Sequence, residues 1–216
     1  MLVDGDQLTE TNCVRQPFAA ADVGLNKAVV LINRVNLFWG LRWQAHPENF
    51  HKDSLRTDSA DPHLIIGCVD TRAAHQAILS AVTRADDSTV YWLDLGNNAS
   101  SGQYVLGQPL NAANRRSAAR LRTVAELYPE IVDAEAGEDS LPSCSAAEAL
   151  ERQEPFINQV LATSALAMLA RLLRYGAITH HGAFYNAQTG RMAALPADPR
   201  MWEKMRRRDR RANAKP

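Results

Sequence analysis

Hydrophobic positions in the first half of the chain follow two different periodicities. Apolar residues recur at helical spacing over residues 24–35 and 71–83, whereas residues 64–69 and 90–96 form short, nearly continuous apolar runs. Helical spacing predicts amphipathic helices, and a short apolar run bounded by turn residues is typical of a strand buried on both faces of a parallel sheet. The pattern therefore predicts strands that alternate with helices.

The second half of the chain adds antiparallel elements to this pattern. Residues 103–107 read as a strand that turns back after a polar loop, and residues 178–185 and 191–195 read as a hairpin. A long apolar helix is predicted over residues 146–175, with a break at Pro155. The predicted fold class is a doubly wound α/β sheet of the Rossmann-like type with antiparallel additions.

Composition and charge narrow the class of protein. The 216 residues are 46% hydrophobic, which suits one globular domain over residues 1–200 with a basic tail over residues 201–216. Lys plus Arg equals Asp plus Glu at 24 each, so the net charge gives no steering toward nucleic acid or anionic lipid. The sequence predicts no membrane span and no secretory signal, and a cytoplasmic protein is expected.

The three cysteines, Cys13, Cys68 and Cys144, are an odd number at wide spacings. This pattern argues against a disulfide framework and against a closed zinc site, so we expect free thiols and no zinc. Cys68 lies in an apolar run and is predicted to be a core residue.

A cluster of polar side chains follows Leu2 and Val3, which read as the end of a short buried strand. An acid at the carboxyl end of a strand in an α/β sheet is where a ribose hydroxyl is usually held, and Asp4 occupies that position. Arg15 and Lys27 supply a planar fork and a compact charge for phosphate oxygens. The sequence therefore predicts a site for a nucleotide polyphosphate.

The order of these residues resembles the ThiF family, the bacterial arm of the ubiquitin-activating superfamily. The matching elements, in chain order, are Asp4-Gly5-Asp6, Asn12, Arg15-Gln16, Gly24-Leu25-Asn26-Lys27 and Val69-Asp70-Thr71-Arg72. Members of that family use ATP and Mg²⁺ to adenylate the C-terminal glycine of a ubiquitin-like or sulfur-carrier protein. The resemblance implies that Asp4 holds the ribose, Arg15 and Lys27 contact phosphates, Asn12 and Gln16 orient the nucleotide, and Asp70 binds magnesium. Arg15 is also a catalytic candidate, because a cation there would absorb charge on the phosphates.

One element of the family pattern has no counterpart in the chain. The Gly-rich phosphate loop of the family should precede Asp4 by roughly 20 residues. Only Met1, Leu2 and Val3 stand before it. Either the chain is a truncated record, or the protein lacks half of its nucleotide site. The first interpretation is preferred, and it predicts an adenylation domain without its first strand.

Cys144 and Asp70 each leave two interpretations open. Residues 141–145 are an irregular stretch before a helix, and a helix N-terminus stabilises a thiolate, so Cys144 is a candidate catalytic nucleophile. It could equally be a small residue near the helix start with no chemistry. Asp70 is a magnesium ligand by the resemblance, and it is an N-cap candidate by its place before residue 71.

Residues 142–148 and 156–159 are most similar to ThiF-family proteins of the PRTRC cassette. This resemblance implies a ubiquitin-like activation step, with other cassette proteins as possible further partners. It also assigns residues 108–145 to a crossover loop. Superfamily members usually dimerise, which leads us to expect a homodimer.

The leading hypothesis is an ATP-dependent adenylyltransferase that activates the C-terminal carboxylate of a ubiquitin-like or sulfur-carrier protein, with a thioester on Cys144 as a further step. The alternative is a non-catalytic scaffold or pseudoenzyme that binds the partner protein without ATP. It is motivated by the missing Gly-rich loop. A nicotinamide or flavin oxidoreductase shares only the sheet architecture, and fold alone does not give function.

Overall fold

The described part of the chain is built on two β-sheets, one of two strands and one of five. The computed structural model describes residues 1–54, 63–84, 86–117, 119–133, 154, 156–198 and 200–202. The predictions for Pro155, for Cys144 and for the basic tail from residue 203 lie outside the described residues.

The N-terminal unit, residues 1–46, holds the smaller sheet and two α-helices. Strand β1 (Leu2–Val3) pairs in parallel with β2 (Ala45–His46). Between them lie α1 (Glu10–Arg15), a 3-10 turn (Ala20–Asp22) and α2 (Lys27–Trp39). A small core of Leu8, Phe18 and Val30 holds this unit together.

Helix α2 differs at both ends from the predicted range of residues 24–35. It begins at Lys27 because Asn26 is the N-cap, with its side-chain oxygen accepting a hydrogen bond from the Val29 amide at 3.1 Å. It continues to Trp39 and ends at Gly40, which has a left-handed φ of 65°.

The larger sheet has the strand order β3-β4-β5-β6-β7. The elements in chain order are β3 (Leu64–Gly67), α3 (Arg72–Val82), β4 (Tyr91–Asn97), β5 (Ser101–Gly107), α4 (Val124–Leu127), a 3-10 turn (Pro129–Val132), α5 (Ile157–Tyr175), β6 (His180–Asn186) and β7 (Arg191–Pro196). Strands β3 and β4 are parallel, and every later pair is antiparallel. The predicted α/β class with antiparallel additions is confirmed.

Alternating side chains of this sheet enter two different cores. Trp92 and Val105 pack with Ile78 and Val82 of α3 on one side. On the other side lies α5, whose buried residues pack against the neighbouring strand positions Leu93, Tyr104 and Leu106. Because successive residues of a strand point to opposite faces, helices cover both faces of the strands that lie between them.

The prediction that β3 is buried on both faces is wrong. Ile66 is 48% exposed, and the strand ends at Gly67, so Cys68 lies beyond it and is exposed rather than in the core. The reason is position: among the described residues, β3 pairs only with β4 and is therefore an edge strand.

The predicted helix over residues 71–83 is confirmed as Arg72–Val82. Its N-cap is Thr71, whose hydroxyl accepts a hydrogen bond from the Ala74 amide at 3.2 Å, so the N-cap interpretation of Asp70 is wrong. Helix α5 ends at Gly176 as predicted. In the described part of the chain, no helix has the length and apolarity needed to cross a bilayer.

Candidate functional site

The turn of residues 4–6, called here the Asp4 turn, directly follows β1. The Asp4 amide donates to the His46 carbonyl at 3.1 Å, and the Asp4 carboxylate accepts from the Asp6 amide at 2.9 Å. A Cβ on Gly5 would lie 2.5 Å from the side-chain oxygen of Asn49, so the close packing at this point requires glycine. Asp4 is therefore at the carboxyl end of a parallel strand, as the sequence predicts.

Asn26 fastens the Asp4 turn to the N-terminus of α2. Its amide nitrogen donates to the main-chain carbonyls of Asp4 at 2.8 Å and of Asp6 at 3.1 Å, while its oxygen caps the helix. No separate role for Asn26 was predicted from the sequence. An Asn directly before an apolar-periodic segment is an N-cap signal that pointed to it.

Lys27 is the first residue of α2 and lies beside the Asp4 turn. Its Nζ is 2.6 Å from a carboxylate oxygen of Asp6, and its side chain is only 17% exposed, against 66% for Asp6. A helix N-terminus and an ammonium group together favour an anion. Asp6 supplies a negative charge at this point.

The remaining predicted nucleotide contacts lie on or next to α1. Asn12 is 8% exposed, and its side-chain oxygen accepts from the Thr9 amide at 2.9 Å, so this side chain caps α1. Gln16 directly follows the helix and is half-buried. Arg15 is the last residue of α1, and its side chain lies outside the described atoms. Ligand contacts by these three residues stay predictions.

Asp70 lies in the exposed turn between β3 and α3. Among the described residues, no hydrogen bond or ion pair connects it with the Asp4 turn, and no three metal-ligating side chains form a cluster. Magnesium in nucleotide sites takes one or two carboxylates and completes its shell with phosphates and water. An exposed single carboxylate fits that donor set.

A buried charged pair that the sequence analysis missed lies beneath this turn. His75 of α3 places its Nε2 3.3 Å from a carboxylate oxygen of Asp94, which is fully buried in β4. Burial by itself lowers the pKa of His75, but its contact with Asp94, together with the Thr71 carbonyl and the charge of Asp70, raises that pKa overall. The sequence signal for this pair was Asp94, an acidic residue inside the apolar run of residues 90–96.

The described thiols differ in their surroundings. Although Cys68 reaches the surface, desolvation and the nearby charge of Asp94 raise the pKa of its thiol, so it stays protonated near neutral pH. The Cys13 sulfur is 3.4 Å from the Ala19 carbonyl.

An open groove of about 370 Å³ lies on one face of β5, β6 and β7. The register places Gln103, Phe184 and Ala193 side by side, and it aligns Ser101, Asn186 and Arg191 in the next row. The groove therefore has a partly apolar floor with polar groups and one cation at its end.

The described geometry can be compared with known proteins. The model of the ThiF family matches residues 1–211. No curated protein matches the chain. Among solved structures, PaaA has a TM-score of 0.59 at 15% identity, over 91% of this chain and 63% of that one. The MccB protein of E. coli, solved with ATP, has a TM-score of 0.59 at 14% identity, over 90% of this chain and 55% of that one.

A second structure of E. coli MccB, with MccA-N7isoASN, has a TM-score of 0.59 at 16% identity, over 90% of this chain and 56% of that one. At these identities the likeness is one of fold. The chain spans between 55% and 63% of the length of these three structures.

Proposed function

The chain belongs to the ThiF family, and we propose that it is an ATP-dependent adenylyltransferase that activates the C-terminal carboxylate of a small protein or peptide. The observation that carries this proposal is the junction between the Asp4 turn and the start of α2, which the hydrogen bonds of Asn26 hold together. This junction brings Asp4, at the carboxyl end of β1, close to Lys27, at the N-terminus of α2. Those two groups suit the ribose and the phosphates of a nucleotide.

Each predicted residue has one task in this proposal. Asp4 accepts hydrogen bonds from ribose hydroxyls, Lys27 exchanges its Asp6 partner for phosphate oxygens, and Arg15 and Gln16 reach the nucleotide from the adjacent α1. Asn12 contributes by fixing the start of α1. Asp70 would hold magnesium, which would neutralise charge on the phosphates. The protein's main contribution is to hold the attacking carboxylate in line with the α-phosphate.

The proposed partner is a ubiquitin-like or sulfur-carrier protein. Structures of MccB contain ATP or MccA, which supports a nucleotide together with a small substrate chain. The groove on β5, β6 and β7 suits an extended peptide, and Arg191 at its end would meet a carboxylate. The similarity to PRTRC proteins, residues 108–145 as a crossover loop and a homodimer belong to the same proposal.

A thioester on Cys144 is a separable second step. If Cys144 is the nucleophile, its replacement by alanine leaves ATP–pyrophosphate exchange intact and abolishes the covalent adduct with the partner. If the adduct survives in Cys144→Ala, the nucleophile assignment is wrong.

The second candidate is a scaffold that binds the partner without ATP. The sheet topology supports this candidate. Among the described strands, β1 pairs only with β2, and β3 pairs only with β4, so β1 and β3 each have one edge that no described strand covers.

Equilibrium binding of ATP to this chain with magnesium separates the two candidates. The proposal expects saturable binding that weakens at least tenfold in Lys27→Met, because a charge-assisted contact contributes about 1.5–3 kcal/mol. Lys52→Met, which removes the same charge from an exposed loop, is the matched control and should bind normally. Equal affinity in the two variants would reject the role of Lys27. No ATP binding by the unaltered chain would favour the scaffold.

Activity is then tested by ATP–pyrophosphate exchange in the presence of a small protein that ends in glycine. Exchange that depends on the free C-terminal carboxylate supports adenylation. Absence of exchange despite ATP binding would reject it.

A further inference from the structure

Three polar side chains converge in the core beneath the turn that carries Asp70. His75, Asp94 and Trp92 are 4%, 0% and 1% exposed. Within the described residues, His75 Nε2, both Asp94 carboxylate oxygens and the Trp92 indole nitrogen lack a hydrogen-bond partner. Buried polar atoms are rarely left in this state without a reason, because each has lost its hydrogen bonds to water and gained none in return.

His75 holds the start of α3 through a single carbonyl. Its amide donates to the Thr71 oxygen at 3.1 Å, and its ring Nδ1 lies 2.8 Å from the same oxygen. A carbonyl oxygen can only accept, so Nδ1 carries a hydrogen. The Thr71 hydroxyl meanwhile caps the helix. Thr71 is therefore held at its carbonyl and its hydroxyl, and Asp70 is the residue directly before it.

The other side of the imidazole faces β4. Because Nδ1 already carries a hydrogen, a neutral ring would turn an acceptor Nε2 toward the acceptor oxygens of Asp94. The 3.3 Å contact is favourable only if a second proton lies on Nε2 or on the Asp94 carboxyl group. A fully buried carboxylate requires such compensation. The 3.3 Å contact has the distance of an ion pair but lacks hydrogen-bond alignment. The ring thus links the Asp70 turn to the centre of the larger sheet.

The neighbouring strand is shaped around this pair. Gly67 lies opposite Asp94 in the parallel register, and a Cβ there would lie 3.1 Å from the Trp92 indole nitrogen and 3.2 Å from an Asp94 carboxylate oxygen. A larger residue there would require these side chains to shift by a few tenths of an ångström. A purely stabilising core does not need buried charges, since an apolar pair of similar volume is often at least as stable.

We propose that His75 is a positioning residue that acts through Thr71 to fix the place of Asp70, and so determines how strongly nucleotide binding depends on magnesium. The proposal rests on the proposed function for its ligand. The contacts that define it are those of His75 with Thr71 and with Asp94. Residues that support a metal-binding carboxylate from outside the coordination shell typically change metal affinity 10- to 100-fold when they are lost.

Two double variants isolate the contact to Thr71. His75→Asn with Asp94→Asn removes both charges but keeps an amide near the place of Nδ1, so it can still donate to the Thr71 carbonyl. His75→Gln with Asp94→Asn removes the same charges but moves the amide toward the place of Nε2. The two proteins differ by one methylene.

His181→Asn is the control for loss of a buried histidine. His181 is also fully buried, and its Nδ1 also lies beside a main-chain carbonyl, that of Leu106 at 2.7 Å. It belongs to β6 and has no described contact with the Asp70 turn.

The measurement is the magnesium concentration that half-saturates ATP binding, together with amide exchange over residues 68–74. The Gln double variant should need at least tenfold more magnesium and should exchange faster at this turn, while its ATP affinity without magnesium stays unchanged. The Asn double variant should stay within about threefold of wild type, and His181→Asn should match wild type. These fold-changes follow from the loss of metal affinity that is typical when a residue supporting a metal-binding carboxylate is removed.

Two results would overturn the proposal. One is a magnesium requirement that is equal in the two double variants. The other is unchanged exchange over residues 68–74 in the Gln variant. If the unaltered chain binds no ATP, the proposed function fails instead, and the exchange measurement alone then decides whether His75 positions the turn.

Discussion

Replacing Asn26 by alanine should weaken both the N-terminal unit and its nucleotide site. The side chain makes three hydrogen bonds, one to the Val29 amide and two to the carbonyls of Asp4 and Asp6. Loss of an Asn N-cap costs about 1 kcal/mol. Each remaining bond contributes about 0.5–1 kcal/mol at a partly exposed position. The expected loss of stability is therefore about 2–3 kcal/mol.

Asn26→Ser separates the cap from the fastening of the Asp4 turn. Serine caps a helix as well as asparagine does, but it has no amide to donate to the carbonyls of Asp4 and Asp6. We expect it to lose about half to two thirds as much stability as the alanine variant, because it loses the two carbonyl contacts but keeps the cap. Nucleotide affinity should fall equally in both, by about 5- to 30-fold, because each must order the released turn at about 1–2 kcal/mol.

The assay combines urea unfolding, amide exchange of α2 and equilibrium binding of a fluorescent ATP analogue. Asn33→Ala, on the exposed face of α2, is the control and should change neither binding nor stability by more than about 0.5 kcal/mol. Wild-type affinity in Asn26→Ser, combined with weak binding in Asn26→Ala, would mean that the cap alone matters. Wild-type affinity in both variants would refute the reasoning.

Three further predictions concern other polar contacts. Asp6→Asn should leave ATP binding intact or strengthen it up to about fivefold in equilibrium titrations, because it frees Lys27 from an exposed ion pair; weaker binding would contradict this. Asn111→Ala should lower the free energy of unfolding in urea by about 2–4 kcal/mol, because its buried amide nitrogen lies 2.9–3.1 Å from three oxygens. A loss below about 1 kcal/mol would contradict a structural role for these contacts. Burial lowers the pKa of His181, so below pH about 6.5 the unfolded chain binds the proton first, and stability falls by up to about 1.4 kcal/mol per pH unit. His181→Asn should flatten this acid limb in unfolding curves measured between pH 5.5 and 7.5, and an unchanged limb would reject the assignment.

The order and type of most elements could be predicted from the sequence. Helix α3, strand β4, the β6–β7 hairpin and the stop at Gly176 follow from periodicity and turn residues, since these are local properties of the chain. The ends of α2 were less predictable. They depend on which side chain caps the first turn and on how far the apolar face continues.

The candidate site divides in the same way. The sequence places Asp4 after a strand and Lys27 at a helix start, because both positions are set by neighbouring residues. It does not reveal that Asn26 joins them, because that contact bridges 22 residues. For Asn12, the structure adds a role that its motif position did not predict, since its buried side chain caps α1, and its contact with a ligand stays a prediction.

The sequence by itself determined the α/β class, the family pattern and the chain positions of the acids and cations. Only the tertiary structure decided that β3 pairs with a single strand among those described, which exposes Ile66 and Cys68. Only the tertiary structure also brought His75 to Asp94 across two elements. The physical reason is that periodicity records which face of an element is apolar, whereas pairing across a sheet depends on register and on neighbours far away in the chain.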